Sequence, residues 1–168
     1  MTDPLSESAQ QLASALRSHG WRIVMAESCT AGLASAVLAG VPGISEHHCG
    51  SAVTYREDTK HCWLGVRLED LEKHTAVSDV VARQMCVGVL AQTPEAHVGV
   101  SITGHLGPNA PDGFDGLVFV GSTIRGAAGL PDQVQVERVE LTTSTRGERQ
   151  QEAAVRLLRH ALNRLASA

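Results

Sequence analysis

Residues 21–40 read WRIVMAESCTAGLASAVLAG, and this stretch decides the fold. The apolar run at 21–26 predicts a short buried strand. The run at 30–40 is rich in Ala and Leu and ends before a Gly-Val-Pro-Gly stop, so it predicts a helix. A strand joined to a helix by a tight polar junction is the repeating unit of α/β proteins.

The rest of the chain continues this alternation. Apolar periodicity predicts further helices and strands, with helices at 5–19, 57–63, 78–91 and 146–166, and strands at 49–55, 97–103, 117–124 and 133–141. The sequence therefore predicts an α/β protein, a three-layer α/β/α sandwich with a largely parallel, mixed sheet. With 168 residues the chain can close one core, so we expect a single domain over 1–168.

Composition excludes several classes of function. A formal net charge of −4 does not suit a dedicated nucleic-acid binder, and 3% aromatic residues provide few stacking surfaces. No apolar run approaches the roughly 20 residues of a membrane-spanning helix. The four cysteines form no CxxC pair and no signal peptide precedes them, so we expect a cytoplasmic protein.

In an open α/β sheet, ligands bind at the carboxyl ends of the strands. The first such junction places Ser28 and Thr30 at a helix N-terminus, which favours an anion or a developing oxyanion, although a plain N-cap explains these hydroxyls equally well. The second junction carries Tyr55 and Lys60. A desolvated lysine beside a serine can act as its base, whereas the alternative is a solvated surface charge.

Other candidate groups carry weaker signals. The loop after Thr103 is rich in Gly and Pro, but it matches neither phosphate-binding fingerprint. Arg146 is the first residue of the last predicted helix and follows a run of hydroxyl residues. This arrangement suits a bound phosphate or carboxylate, and the alternative is a Ser or Thr cap with a solvent-facing Arg. Cys29 is interpreted as a buried structural thiol. The His and Cys pairs at 47–49 and 61–62 lack zinc-ligand spacing, so no metal is predicted.

Several motifs together resemble the CinA C-terminal domain family. They are AESCTAGL at 26–33, VPG at 41–43, VTY at 53–55 with Lys60, LGV at 64–66, AVS at 76–78, and SITG at 101–104 with GP at 107–108. The resemblance runs from the first helix to the last. That family includes the nicotinamide mononucleotide amidohydrolases, so it implies hydrolysis of that carboxamide to nicotinic acid mononucleotide and ammonia, without a metal or organic cofactor.

The resemblance also implies a role for individual residues. Ser28 would be the nucleophile, Lys60 would accept its proton and later protonate ammonia, and Tyr55 would orient the pair or relay the proton. The residues implied to bind the substrate nucleotide are Cys29, Thr30, Ala31, Thr103, Gly104 and Arg146. The first three would offer backbone N–H groups to the oxyanion, the next two would line the ribose or base, and the last would meet the 5′-phosphate. A homodimer or larger assembly is expected.

The sequence departs from the family pattern near the expected pocket. Ala31 stands where the family has a glycine, and His105-Leu106 stands where the loop usually reads Ile-Ala. A Lys-Pro element is replaced by a stretch containing Phe114 and Asp115, whose carboxylate would disfavour a phosphate-bearing substrate. Two alternatives therefore remain open: an amidase for another small amide, and a non-catalytic nucleotide-binding or scaffold protein. The partner domain of full-length CinA proteins has no counterpart in the sequence, which suggests a stand-alone form.

Overall fold

The computed structural model describes residues 3–126 and 133–168. Six helices and five strands follow one another in these ranges: α1 Pro4–His19, β1 Ile23–Glu27, α2 Leu33–Ala39, β2 His48–Val53, α3 Glu57–Leu64, α4 Leu68–His74, α5 Asp79–Ala91, β3 Val98–Gly104, β4 Leu117–Ile124, β5 Gln135–Glu140 and α6 Arg146–Ala166. A short 3-10 turn, Ile44–Glu46, precedes β2. No helix within the described ranges is both long enough and apolar enough to cross a membrane.

The five strands form one mixed sheet in the order β2-β1-β3-β4-β5. β1 lies between β2 and β3 and is parallel to both, whereas β4 and β5 add antiparallel pairings at the other side. The predicted α/β class with a mixed sheet is confirmed. Half of the pairings are antiparallel because β3 is followed by a loop that returns directly to its neighbour, without a crossover helix.

Helices cover both faces of the sheet. Alternate residues of β1 point to opposite sides: Ile23 and Met25 pack with α1, α2 and α6, while Val24 and Ala26 pack with α3, α4 and α5. Both cores consist mainly of Ala, Val, Leu and Ile side chains. The predicted three-layer sandwich is therefore the observed architecture.

Three local differences separate the expected elements from the observed ones. α4 was not predicted, because its seven residues bury only Leu71. α2 begins at Leu33 rather than residue 30, because Ala31 and Gly32 have positive φ and the chain turns there before the helix starts. β5 is an edge strand on which Val139 is buried and Val136 only partly so, and this explains its irregular apolar pattern.

Candidate active site

A cavity of about 240 Å³ lies where β1 and β3 end and where α3 and α6 begin. Its wall includes Ser28, Tyr55, Lys60, Thr103, His105 and Arg146. These residues come from the two junctions predicted from the sequence, from the loop after Thr103 and from the start of the last helix. The carboxyl edge of the parallel strands is the expected place for such a site.

Lys60 and Ser28, both in the wall of the cavity, are joined by a hydrogen bond. The Lys60 ammonium nitrogen, Nζ, lies 2.8 Å from Ser28 Oγ and donates at 2.6 Å to the carbonyl oxygen of Thr54. Lys60 is only 1% exposed, and burial lowers the pKa of its amine to about 8. A solvated surface lysine is therefore the wrong interpretation, and this amine can be neutral near physiological pH.

Pairing of the first two strands brings these groups together. β1 and β2 run parallel with Glu27 opposite Val53, so the chain leaves both strands at the same edge. The Thr54 N–H donates to the Glu27 carbonyl at 2.9 Å, which fixes Thr54 beside Ser28. Lys60 then lies on the first turn of α3, one helical turn after the strand exit.

Glu27 organises the turn that carries Ser28, a role that is not predicted from the sequence. Its buried carboxylate accepts five hydrogen bonds at 2.7–3.1 Å, from the hydroxyls of Thr30 and Ser51 and from the backbone N–H groups of Gly32, Ala34 and Ser35. The carboxylate thus satisfies the free N-terminal N–H groups of α2, as a capping group does. The sequence feature that points to this role is a glutamate at the end of an otherwise apolar strand.

The structure separates the three predicted oxyanion residues. The Ala31 N–H donates to the Ser28 carbonyl at 3.0 Å and Ala31 is exposed, so its predicted role as an oxyanion donor is wrong. The Thr30 hydroxyl is turned to Glu27 and away from the cavity. The backbone N–H groups of Cys29 and Thr30 both hydrogen-bond the Cys29 sulfur and lower the pKa of that thiol, against the larger effect of burial. Their role as donors to an oxyanion stays a prediction.

The Cys29 thiol is not equipped as a nucleophile. Cys29 lines the cavity but is 5% exposed, and burial raises the pKa of its thiol to about 12. A thiol with such a pKa carries almost no thiolate at neutral pH. Its side chain packs in the core under the turn, which agrees with its interpretation as a buried structural thiol.

Thr103 and Gly104 form part of the cavity wall, as predicted. The Thr103 hydroxyl donates to the Ala76 carbonyl at 2.8 Å, which ties the end of β3 to the segment before α5. A side chain at Gly104 would come within 2.8 Å of the Leu117 carbonyl. Close packing on β4 therefore requires this glycine, independently of any ligand.

Arg146 and Tyr55 lie together at the mouth of the cavity. Arg146 donates from Nη2 to the Tyr55 hydroxyl at 2.8 Å and from Nη1 to the Gly107 carbonyl at 2.5 Å. Tyr55 is 53% exposed and its hydroxyl makes no hydrogen bond with Ser28 or Lys60. The expectation that Tyr55 orients the Ser-Lys pair does not match this geometry, in which Tyr55 holds Arg146.

The altered loop places two of its new residues, His105 and Leu106, in the cavity wall and Asp115 outside it. Asp115 pairs with Arg149 through two hydrogen bonds of 2.9 Å. The predicted electrostatic conflict with a phosphate is therefore absent, because the added carboxylate is neutralised outside the cavity. Leu106 is buried in the core. Glu57, at the start of α3, lines the cavity and was missed as a site residue.

The histidines considered as metal ligands hydrogen-bond to protein atoms. The ring nitrogens of His47, His48 and His61 lie 2.7–2.8 Å from the Trp21 carbonyl, the Ser35 hydroxyl and the Val66 carbonyl, respectively. Across residues 3–126 and 133–168, no group of three or more His, Cys, Asp or Glu side chains could hold a metal ion.

The fold is a three-layer α/β domain, and a buried Ser-Lys pair lies at the ends of its strands. Such a site can support attack by a serine hydroxyl, which defines a broad class of proteins. Comparison with known families narrows this class to one family. The model of the CinA C-terminal domain matches residues 5–167, and the chain belongs to the CinA family.

Relatives and solved structures agree with this assignment. CinA-like proteins of Rippkaea orientalis and Myxococcus xanthus are 44% and 39% identical over 117 and 129 residues, covering 67% and 76% of this chain. The chain spans less than a third of these relatives, 27% and 29% of their length. A CinA superfamily protein from Klebsiella pneumoniae superposes with a TM-score of 0.89 at 28% identity, covering 98% of this chain and 99% of that one. The competence/damage inducible protein CihA of Agrobacterium tumefaciens gives 0.87 at 29%, covering 97% and 98%.

Proposed function

We propose that this chain hydrolyses the carboxamide of nicotinamide mononucleotide, giving nicotinic acid mononucleotide and ammonia. The observation that carries the proposal is the 2.8 Å contact between Lys60 Nζ and Ser28 Oγ inside the cavity. A serine hydroxyl is a weak nucleophile until a base takes its proton, and a buried amine with a pKa of about 8 suits that task.

The reaction would proceed through an acyl-enzyme. Ser28 Oγ attacks the carboxamide carbon while Lys60 takes the hydroxyl proton, and the N–H groups of Cys29 and Thr30 stabilise the oxyanion. Lys60 then gives the proton to the departing nitrogen, and ammonia leaves as the acyl ester forms. A water molecule, deprotonated by Lys60, attacks the ester; collapse of the second intermediate returns the proton to Ser28 and releases the carboxylic acid.

The guanidinium of Arg146 supports a substrate with an amide at one end and an anion at the other. Ser28 and Lys60 are buried in the cavity wall, while the exposed part of the wall carries the guanidinium of Arg146 and the carboxylate of Glu57. A guanidinium can bind phosphate through two parallel hydrogen bonds. Its present acceptors, the Tyr55 hydroxyl and the Gly107 carbonyl, hold it over the opening.

Ammonia release from nicotinamide mononucleotide by the purified protein tests the activity. We expect Ser28→Ala to lower kcat by at least about 10³-fold, because the nucleophile is removed, with little change in the thermal midpoint. Ser18→Ala, a serine on the exposed face of α1, is the matched control and should keep full activity. Turnover retained by Ser28→Ala would exclude Ser28 as the nucleophile.

Hydrolysis of a different small amide is the second candidate function, and the observation that favours it is Leu106, which lines the cavity and is larger than the alanine usual at this position. Other carboxamides, assayed in parallel, separate the two candidates. Preferred turnover of an amide without phosphate would favour the second, whereas preferred turnover of the mononucleotide supports the first.

Arg146→Ala provides a separate prediction about the phosphate. We expect the variant to lose about 10- to 100-fold in kcat/KM for the mononucleotide, because charge-assisted hydrogen bonds to phosphate are lost. The loss for the phosphate-free riboside should be much smaller. Arg138→Ala, on exposed β5, is the control for a removed surface charge. Equal losses for the two substrates would contradict the assigned role.

A further inference from the structure

His105 is held in a fixed position on the cavity wall. Its backbone N–H donates to the Leu117 carbonyl at 2.9 Å, and its carbonyl accepts from the Gly116 N–H at 3.0 Å. The imidazole meets the Phe114 ring edge to face, with centroids 5.9 Å apart and planes at 89°. Both the backbone and the ring are therefore positioned before any ligand arrives.

The polar atoms of this imidazole are unused. Neither ring nitrogen of His105 has a hydrogen-bond partner among residues 3–126 and 133–168, in contrast to His47, His48 and His61. Burial lowers the pKa of His105, so the neutral ring predominates at physiological pH. A neutral imidazole offers one N–H donor and one nitrogen acceptor on different sides of the ring, and either can bind a hydroxyl group.

His105 shares the cavity wall with the Ser-Lys pair and with Arg146. Ser28 and Lys60 are 7% and 1% exposed, His105 is half-buried, and Tyr55 and Arg146 are exposed. His105 follows Gly104 directly and precedes Gly107, whose carbonyl accepts a hydrogen bond from Arg146. A molecule that reaches from the Ser-Lys pair to Arg146 therefore occupies the cavity that His105 lines.

We propose that His105 is a specificity-determining residue that hydrogen-bonds a sugar hydroxyl of a ribosylated amide substrate, between the reacting carboxamide and the terminal anion. This inference rests on the proposed function and deepens it. It selects a carboxamide attached to a ring with a ribose diol over a simple amide of similar size. His105 does not take part in the chemical step, so its contribution belongs mainly to KM.

The test compares two substrates, nicotinamide mononucleotide and its 2′,3′-dideoxy analogue, in the wild-type protein and in His105→Leu. We expect His105→Leu to lose about tenfold in kcat/KM on the mononucleotide, mainly through KM, because about one net hydrogen bond is lost. On the dideoxy analogue the variant and the wild type should agree within about twofold. His105→Asn, which keeps a donor and an acceptor, should recover part of the loss, and His105→Phe should resemble His105→Leu.

Three outcomes would overturn the inference while leaving the proposed function intact. Equal losses on both substrates would mean that His105 acts only by packing against Phe114, and no loss would mean that it has no role. Full activity in His105→Phe would mean that the ring at this position acts by stacking and not by hydrogen bonding. A wild-type protein that releases no ammonia from either substrate would instead refute the proposed function, and this inference with it.

Discussion

Lys60 is a cation that the fold removes from water without supplying a carboxylate partner. The nearest buried acid in sequence, Glu27, is already occupied by five donors, and Lys60 donates to two neutral oxygens instead. Desolvation disfavours the charged amine and lowers its pKa, against the smaller opposing effects of Cys29 and Glu57. Burying the lysine costs stability, and the same burial gives its amine the lowered pKa that a base for Ser28 requires.

Ala31 lies in the turn that carries Ser28, and its backbone conformation is unusual for a residue with a side chain. Its φ is +52°, a conformation that costs an L-residue about 1–2 kcal/mol and glycine almost nothing. We expect Ala31→Gly to raise the free energy of unfolding by about 0.5–1 kcal/mol, after the greater entropy of glycine in the unfolded chain is subtracted. Urea denaturation measures the change.

A neighbouring glycine provides the matched control for that substitution. Gly32 has a φ of +91°, and a side chain there would meet Val53 Cγ2 at 3.2 Å. Gly32→Ala should therefore destabilise the protein. If Ala31→Gly is also destabilising, then Ala31 is not strained in the turn.

At the level of single residues, the sequence indicates which residues line the site but not where their side chains point. Ser28 and Lys60 are candidates from their residue types, with an N-cap and a surface charge as the alternatives. The specific roles of Ser28, Lys60, Tyr55 and Ala31 come from the resemblance to the family. Whether a hydroxyl faces Lys60 or Arg146, or whether an N–H is already bonded in a turn, depends on tertiary packing that no local pattern contains.

At the level of elements, the junction between β1 and α2 is stabilised by one carboxylate. Glu27 neutralises the N-terminal end of α2, which begins without a side-chain cap at Gly32. A seven-residue helix has little stability of its own, so this interaction and packing must hold it. The same carboxylate anchors β2 through the Ser51 hydroxyl, and this joins two strands and a helix around Ser28.

Glu27→Gln tests that arrangement. We expect it to lower the free energy of unfolding by about 2–4 kcal/mol, because an amide accepts fewer of the five hydrogen bonds and places its own N–H₂ against donors. Turnover should fall as well, since the turn that positions Ser28 is loosened. Chemical denaturation and ammonia release measure the two effects. Glu46→Gln, in the exposed 3-10 turn, serves as the control.

The elements themselves were largely predictable because their apolar periodicity is strong. α1, α5, α6 and the central strands have long runs with one or two buried faces, and their expected bounds fall within one or two residues of those observed. α4 was missed because a seven-residue segment with one buried Leu leaves little periodic signal. The predicted start of α2 is too early because hydrogen bonds to Glu27 fix the turn at 28–32, and helix propensity does not encode such contacts.

At the scale of the whole molecule, buried histidines make stability depend on pH. His160 of α6 contacts the Ser122 hydroxyl on β4 at 2.9 Å and Glu137 on β5 at 3.2 Å, with Arg164 nearby on its own helix. Burial lowers its pKa, against the opposing effect of Glu137. Burial also lowers the pKa of His48, between β2 and α2.

These shifts predict loss of stability on the acid side. The unfolded chain binds protons at the ordinary histidine pKa near 6.5, whereas the folded chain resists protonation until a lower pH. The free energy of unfolding should therefore be fully present above about pH 6.5 and decrease from there towards pH 5. Urea denaturation at several pH values measures this, and His160→Gln should reduce the slope. An unchanged slope would exclude His160 as a source of the effect.

The most direct test of the central claim, that Lys60 is the base for Ser28, is the pH dependence of kcat/KM for ammonia release from nicotinamide mononucleotide. Only the neutral amine can take the hydroxyl proton, so kcat/KM should rise about tenfold per pH unit at lower pH and level off above the Lys60 pKa of about 8. Lys60→Met should lose at least about 10³-fold in kcat with an unchanged or higher thermal midpoint, because it replaces a buried amine with an apolar chain of similar size. A flat profile between about pH 6 and pH 9, or turnover retained in Lys60→Met, would contradict the account.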